Sequence, residues 1–256
     1  MQEIHAKPVS RKVRFKQEGF LILPDVFDEQ EIERLVDAIS SIDHQRGART
    51  RTGVYAVRNL LEVSPVIDAL ATSAKIRAIV EENLDADAFP VRGTLFDKTA
   101  GANWLVPWHQ DLTICVVNRM DVPGYGPWTT KAGVWNVQPP VSVLERMLAV
   151  RIHLDDCHED NGALRVLPGT HTLGRLNAED IAERRAGISV SCAVNAGGVV
   201  LMKPLLLHAS SAAARAAHRR VIHIEYAASQ LAGGLQWRTT DGRTSLPPTS
   251  AKRGKR

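Results

Sequence analysis

The pattern that most constrains this chain is a change of period near residue 88. Before it, apolar residues recur at helical spacing. Ile32, Leu35, Val36 and Ile39 follow Asp28, an N-cap with Glu31 three residues on, so that cap and glutamate can satisfy each other's orphan backbone donors. Ser64-Pro65 opens a second helix in the favoured order of cap and then proline. Ser73 caps a third, with Ile76, Ile79, Val80 and Leu84 on one face. One short strand, Gly19-Phe-Leu-Ile-Leu-Pro24, precedes these helices. After residue 88 the segments near 89–97, 147–154, 163–167, 188–194, 198–202 and 220–227 are short and β-branched. Turn formers such as Asn161-Gly162, Pro168-Gly169 and Gly197-Gly198 separate them. Within 147–154, Leu148, Val150, Ile152 and Leu154 occupy one face, opposite Met147, Ala149, Arg151 and His153. Many short strands after a helical start specify a mainly β fold with flanking helices, a sandwich or jelly roll.

At 256 residues the chain suits one domain. We place it at 1–240, with a helical part at about 25–85, a β core at about 88–228, and a basic, disordered tail at 241–256. The basic balance does not indicate a nucleic-acid footprint. Residues 1–17 carry +4 and residues 238–256 carry +5, against +4 for the whole chain, so the body between the termini is acidic by five. The surplus belongs to termini expected to be disordered and not to a groove. No apolar run approaches the roughly 18 residues of a membrane span, and the N-terminal residues have no apolar stretch of the secretory kind. Cys115, Cys157 and Cys192 are odd in number, far apart and form no CxxC, which fits a reducing cytoplasm. The stretch 112–143 lacks a clear period and holds Tyr125, Trp128 and Trp135. With Trp104 and Trp108, these residues suggest a lid over an apolar, natural-product-like small molecule.

The chemistry concentrates at Trp108-His109-Gln110-Asp111. On an extended backbone residues i and i+2 project from one face, so His109 and Asp111 can reach a common point. One more histidine from elsewhere would complete a facial triad suited to iron(II), with the opposite face open. An HxD tripeptide is weak alone, and His153-Leu-Asp155 is a second instance. The third ligand should follow a later strand and lie near a cation able to hold the distal carboxylate of an oxo acid. Arginine suits that role through its planar fork. His208 follows the strand-like Val199–Pro204, has Ser210 two residues on, and has Arg219 eleven residues on, at the start of Val221-Ile-His-Ile-Glu-Tyr226. His171 sits in a turn, and His218 and His223 lie beside or within the arginine strand.

From Gly19-Phe-Leu-Ile-Leu-Pro through Trp-His-Gln-Asp at 108–111, Asn161-Gly-Ala-Leu-Arg-Val-Leu-Pro-Gly-Thr-His171, Gly197-Gly198 and His208-Ala-Ser210 to Arg219, the chain resembles the phytanoyl-CoA dioxygenase family over about residues 17–228. The resemblance implies a double-stranded β-helix, a cupin-like jelly roll. It implies iron(II) held by His109, Asp111 and His208, O2 as oxidant, and 2-oxoglutarate held at its C5 carboxylate by Arg219 with Ser210 assisting. Arg220 would point to the opposite strand face, and the choice between the two arginines stays open at this stage. Lys98, just before the metal motif, is a further candidate for co-substrate contact. Asp111 itself argues for hydroxylation, because related iron halogenases have a small residue there. A non-catalytic metal- and ligand-binding module, or a cyclase, desaturase or epimerase on the same site, are the alternatives.

Overall fold

A computed structural model describes residues 10–42, 48–50, 54–84, 86–99, 103–213 and 218–239; the expected tail from 241 lies outside these residues. The N-terminal elements are helix α1 (Arg11–Glu18), strand β1 (Phe20–Leu23), helix α2 (Glu29–Ser40), strands β2 (Ala48–Thr50) and β3 (Val54–Arg58), and helices α3 (Leu60–Val63), α4 (Pro65–Ala71) and α5 (Ala74–Asn83). Strands β4 (Phe89–Lys98), β5 (Val106–His109), β6 (Ile114–Val116), β7 (Trp128–Lys131) and β8 (Val134–Val137) follow, then helix α6 (Val141–Glu145) and strands β9 (Met147–His153) and β10 (Leu164–Val166). Helix α7 (Ala178–Arg184) precedes strands β11 (Val190–Cys192), β12 (Val199–Met202), β13 (His208–Ser210) and β14 (Arg219–Ala227).

A seven-stranded sheet in the order β2-β3-β4-β14-β9-β12-β1 faces a four-stranded sheet in the order β11-β10-β13-β5, and a three-stranded sheet, β6-β8-β7, flanks them. Every strand pair is antiparallel. This is the double-stranded β-helix. The alternation in β9 separates two environments. Leu148, Val150, Ile152 and Leu154 pack with Leu95, Ile222 and Ile224 against Ile32, Leu35, Ile39, Ile67, Ile76 and Val80 of the helices. Each such side chain contributes roughly 1.5–3 kcal/mol on full burial. The other face turns inward, toward the second sheet.

The helix signals hold. Asp28 and Glu31 form the reciprocal cap of α2, Ser64 caps α4 with Pro65 at its first turn, and Ser73 caps α5. Three expectations need correction. Residues 11–17 are not part of a disordered terminus but lie in α1, because Ser10 caps it, Phe15 is buried, and Gly19 closes it in the left-handed region. A Cβ at Gly19 would stand 2.3 Å from the His171 ring, so only glycine lets the chain turn there. The stretch 112–143 is not an irregular lid but carries β6, β7 and β8; strands of three and four residues are too short to show a period. The part of the chain assigned to helices also supplies β2 and β3, which extend the larger sheet at its β4 edge. Among the described residues, no helix is long and apolar enough to cross a membrane.

Candidate metal centre

Strands β5 and β13 are antiparallel neighbours with His109 directly opposite His208. Their rings lie 4.2 Å apart between centroids. Each Nδ1 donates to a carbonyl two residues back, His109 to Pro107 O at 2.9 Å and His208 to Leu206 O at 2.8 Å. A carbonyl can only accept, so the proton sits on Nδ1 and the Nε2 lone pair is free. Both Nε2 atoms point at Asp111, 3.8 Å from Oδ1 for His109 and 3.7 Å from Oδ2 for His208. The three donor atoms lie within 4.8 Å of one another. Donors about 2.0–2.2 Å from a common ion are separated by roughly 3–4 Å, so this set fits a divalent metal with two imidazoles and one carboxylate.

The segment between the histidine and the aspartate explains how Asp111 is placed. Gln110 is buried and fully bonded: its Nε2 donates to Gly174 O (2.8 Å) and Leu205 O (2.7 Å), and its Oε1 accepts from Leu176 N (2.8 Å). Asp111 N donates to Pro204 O at 2.9 Å. The approach to His208 is tied in turn to the Pro168-Gly169-Thr170 turn. Thr170 Oγ1 accepts from Leu207 N at 2.9 Å and donates to Leu167 O at 2.7 Å. Turn formers distant in sequence thus position the candidate metal ligands. Burial pushes the Asp111 carboxyl upward, but His208, His223, His109 and Arg92 outweigh it and hold the group well below the usual carboxylate range. Burial pushes His208 down to about 4, against the pull of Asp111. At neutral pH the two are therefore carboxylate and neutral imidazole, the protonation states a metal requires.

The donor set opens into a cavity of about 250 Å³ between the two sheets. At one end stand Lys98 and Arg219, 1% and 3% exposed. They are directly opposite each other on β4 and β14. Lys98 Nζ donates to Ser210 Oγ at 3.0 Å and to Ser211 O at 2.5 Å. Arg219 Nη1 donates to Gly162 O, and its Nε has no partner. Gly162 has φ of 80°, and a Cβ there would meet Ser211 O at 2.5 Å, so the turn needs glycine to pass over this pocket. Like charges directly across a ladder repel, and a buried cation pair of this kind is suited to an anion. Burial, then repulsion from Arg219 and Arg151, lowers Lys98 to about 8. Arg220 lies on the other strand face and is bound to Asp155 through its Nε (2.9 Å) and Nη2 (2.6 Å). Asp155 of the second HxD is thereby spoken for, and His153 is buried with neither ring nitrogen bonded.

Most of the aromatic residues expected to line the cavity lie elsewhere. Among the described residues only Trp104 of the five reaches its wall, where Lys98 Nζ lies 5.6 Å from its ring. Tyr125 is part of a hydrophobic cluster with Val116, Leu144 and Trp237, against which Trp128 and Trp135 pack. Trp108 faces Arg165 at 5.5 Å. Large rings in short strands found burial against the flanking sheet more favourable than exposure to a polar cavity. The segment contributes Thr113, Cys115, Lys131 and Asn136 to the wall instead. Arg92 and Glu225, an opposed ion pair at 2.7 Å through Arg92 Nε, were also missed as wall residues. Alternation would have found them: Arg92 shares a face with Lys98, and Glu225 with Arg219.

A double-stranded β-helix with two histidines and an aspartate at an open cavity, and buried cations deeper in, points to the mononuclear metal-dependent oxygenases. The chain belongs to the phytanoyl-CoA dioxygenase (PhyH) family, whose model matches residues 15–221. It is similar to L-proline trans-4-hydroxylase of Streptomyces griseoviridis, 24% identical over 257 residues and covering 87% of either chain. In fold it is similar to the carbocyclase SnoK from nogalamycin biosynthesis, with a TM-score of 0.68, 15% identity and coverage of 92% of this chain and 89% of that one. It is also similar to EctD from S. alaskensis with 2-oxoglutarate and 5-hydroxyectoine, with a TM-score of 0.66, 20% identity and coverage of 89% and 79%.

Proposed function

We propose that this protein is an iron(II)- and 2-oxoglutarate-dependent dioxygenase that hydroxylates a small molecule, with His109, Asp111 and His208 as the iron ligands. The convergence of two Nε2 lone pairs and one carboxylate on a single point at the cavity wall carries this reading. Iron(II), when bound, supplies oxygen activation coupled to decarboxylation of 2-oxoglutarate to succinate. The chain's own residues do the rest. Asp111 reduces the charge of the ion to +1, which leaves it attractive to an anionic chelator. Arg219 and Lys98 neutralise the far carboxylate, with Ser210 orienting the Lys98 ammonium. The carboxylate at 111 favours hydroxylation, and one relative matched over 87% of either chain is named as a hydroxylase. The three buried, unpaired cysteines support a cytoplasmic location.

In the balanced reaction each substrate C–H, with one 2-oxoglutarate and one O2, gives the alcohol, succinate and CO2. Iron-reconstituted protein supplied with 2-oxoglutarate and L-proline as a first substrate is expected to form one succinate per O2 consumed. Tight binding of metal and 2-oxoglutarate without any succinate, with L-proline and with every member of a panel of small acids, would instead mark a binding module.

The Lys98 position also predicts a pH dependence. An anion needs the ammonium form, which in the free enzyme persists below about pH 8. Affinity for 2-oxoglutarate is expected to be level below that value. Above it, binding must take up a proton, and affinity should fall by up to about tenfold per pH unit. Lys98→Met should bind more weakly with no such inflection, as titration calorimetry across pH 6.5 to about 9.5 will reveal.

A further inference from the structure

The cavity holds more positive charge than the proposed co-substrate uses. Arg92, Lys98, Arg151 and Arg219 stand in its wall against Asp111 and Glu225, two more cations than anions among these six. An iron(II) ion and a 2-oxoglutarate dianion cancel one another, so loading the site leaves that excess in place. Lys98 and Arg219 form one cationic pole. Arg151 forms another.

Arg151 is on β9, directly opposite His223 on β14, and is 7% exposed. Its Nη1 donates to His223 Nδ1 at 3.1 Å. His223 Nε2 faces Glu225 Oε1 at 3.3 Å, and Glu225 accepts from Arg92 Nε at 2.7 Å. Glu225 can only accept here, so His223 carries its proton on Nε2 and meets Arg151 as a neutral acceptor. The carboxylate nearest this chain of contacts is thus paired with Arg92. Arg151 has a neutral imidazole for its partner, and its Nε has none. A buried guanidinium with no carboxylate hydrogen-bonded to it is costly, and this one lines an open cavity in which Asp111, a candidate metal ligand, attracts it without touching it. Burial, then repulsion from Arg219, lowers its pKa to about 10, which leaves it charged at neutral pH.

We propose that Arg151 binds an anionic group of the primary substrate, so that the enzyme acts on a small organic acid and not on a neutral or apolar molecule. This rests on the oxygenase reading above. The cavity, at about 250 Å³, falls below the roughly 300–1,000 Å³ of pockets for drug-sized ligands, which limits the acid to a compact one. The His223–Glu225–Arg92 chain holds the guanidinium in place.

Binding to the manganese(II)-loaded protein tests this without turnover. Calorimetry with 2-oxoglutarate comes first. With 2-oxoglutarate saturating, monocarboxylic acids from acetate through L-amino acids to benzoate are then titrated, each beside its primary amide. At least one acid is expected to bind about tenfold or more tightly than its amide. Arg151→Gln should abolish that preference while leaving 2-oxoglutarate affinity within about threefold, and Arg151→Lys, which keeps the cation, should retain most of it. Amides binding as well as acids would overturn the inference. So would the lack of any acid with a Kd below about 10 mM. If Arg151→Gln weakens 2-oxoglutarate instead, the guanidinium serves the co-substrate and the inference falls. Failure of 2-oxoglutarate to bind at the first step strikes the oxygenase reading itself, a distinct result.

Discussion

Alanine at Asp111 is expected to leave a folded protein that neither retains iron(II) nor forms succinate above background. Asp111 is the one anionic donor of the three, and its side chain is 30% exposed on a loop following β5, so truncation opens no core cavity. What fixes the loop is the Gln110 side chain and the Asp111 backbone N–H, which the substitution leaves in place. Two neutral imidazoles beside Arg92 and Arg151 would then face the ion with no compensating charge. Removing partners one layer out from a metal typically costs 10–100-fold in affinity or activity; loss of a direct donor should exceed about 100-fold. His109→Ala should behave alike. His153→Ala is the comparison, since His153 belongs to the other HxD and lies outside the cavity wall; at 1% exposed its truncation should lower the melting temperature while iron content holds. Iron content after desalting, succinate by chromatography and a melting curve are the measurements. Iron content and turnover near those of the parent in Asp111→Ala would remove the metal assignment.

Methionine at Arg219 is expected to raise the 2-oxoglutarate requirement by roughly 30-fold to several thousandfold, the equivalent of about 2–5 kcal/mol for a buried carboxylate left without its cation. Methionine at Arg220 should change it by less than about threefold, because an exchange of this half-buried Asp155 pair touches the cavity nowhere. The two residues are adjacent in sequence yet occupy opposite faces of β14. Arg219 lies across from Lys98 in the cavity wall, whereas the Arg220 guanidinium is held by both oxygens of Asp155. The KM for 2-oxoglutarate at saturating iron decides the matter, and the opposite ranking of the two variants would mean that the wrong arginine has been chosen.

Much of the architecture was legible because its signals are local. Caps at Asp28, Ser64 and Ser73, and the alternation in 147–154, report on neighbours within a few residues. Helix α1 escaped because its sequence is dominated by charge, and its one buried anchor, Phe15, has only the exposed Val13 as an apolar neighbour, two positions away and so not on its face. Strands β6, β7 and β8 escaped for want of length. The aromatic residues among them were misread as pocket walls, because a sequence shows how apolar a ring is and not what it packs against. Among the candidate site residues, His109, Asp111, His208 and Arg219 were singled out through order and spacing, and the fold brings all four to one cavity. Lys98 was equivocal, since whether a lysine at a strand end is solvated or buried depends on the partner strand; β14 and the 210–211 backbone enclose it.

What the chain determined by itself is the set of chemical groups and their alternation: an imidazole and a carboxylate two residues apart, a later histidine, and the cations Arg92, Lys98 and Arg219, each on one alternation of its strand. What only the tertiary structure decided is which alternation faces inward. Pairing β14 with β4 and β9 in the observed register turns Arg219, His223 and Glu225 to the cavity and Ile222 and Ile224 to the helices. Side chains repeat every two residues along a strand. A slip of one would have exchanged the two sets, putting Arg220 in the cavity and the buried charges into the apolar core.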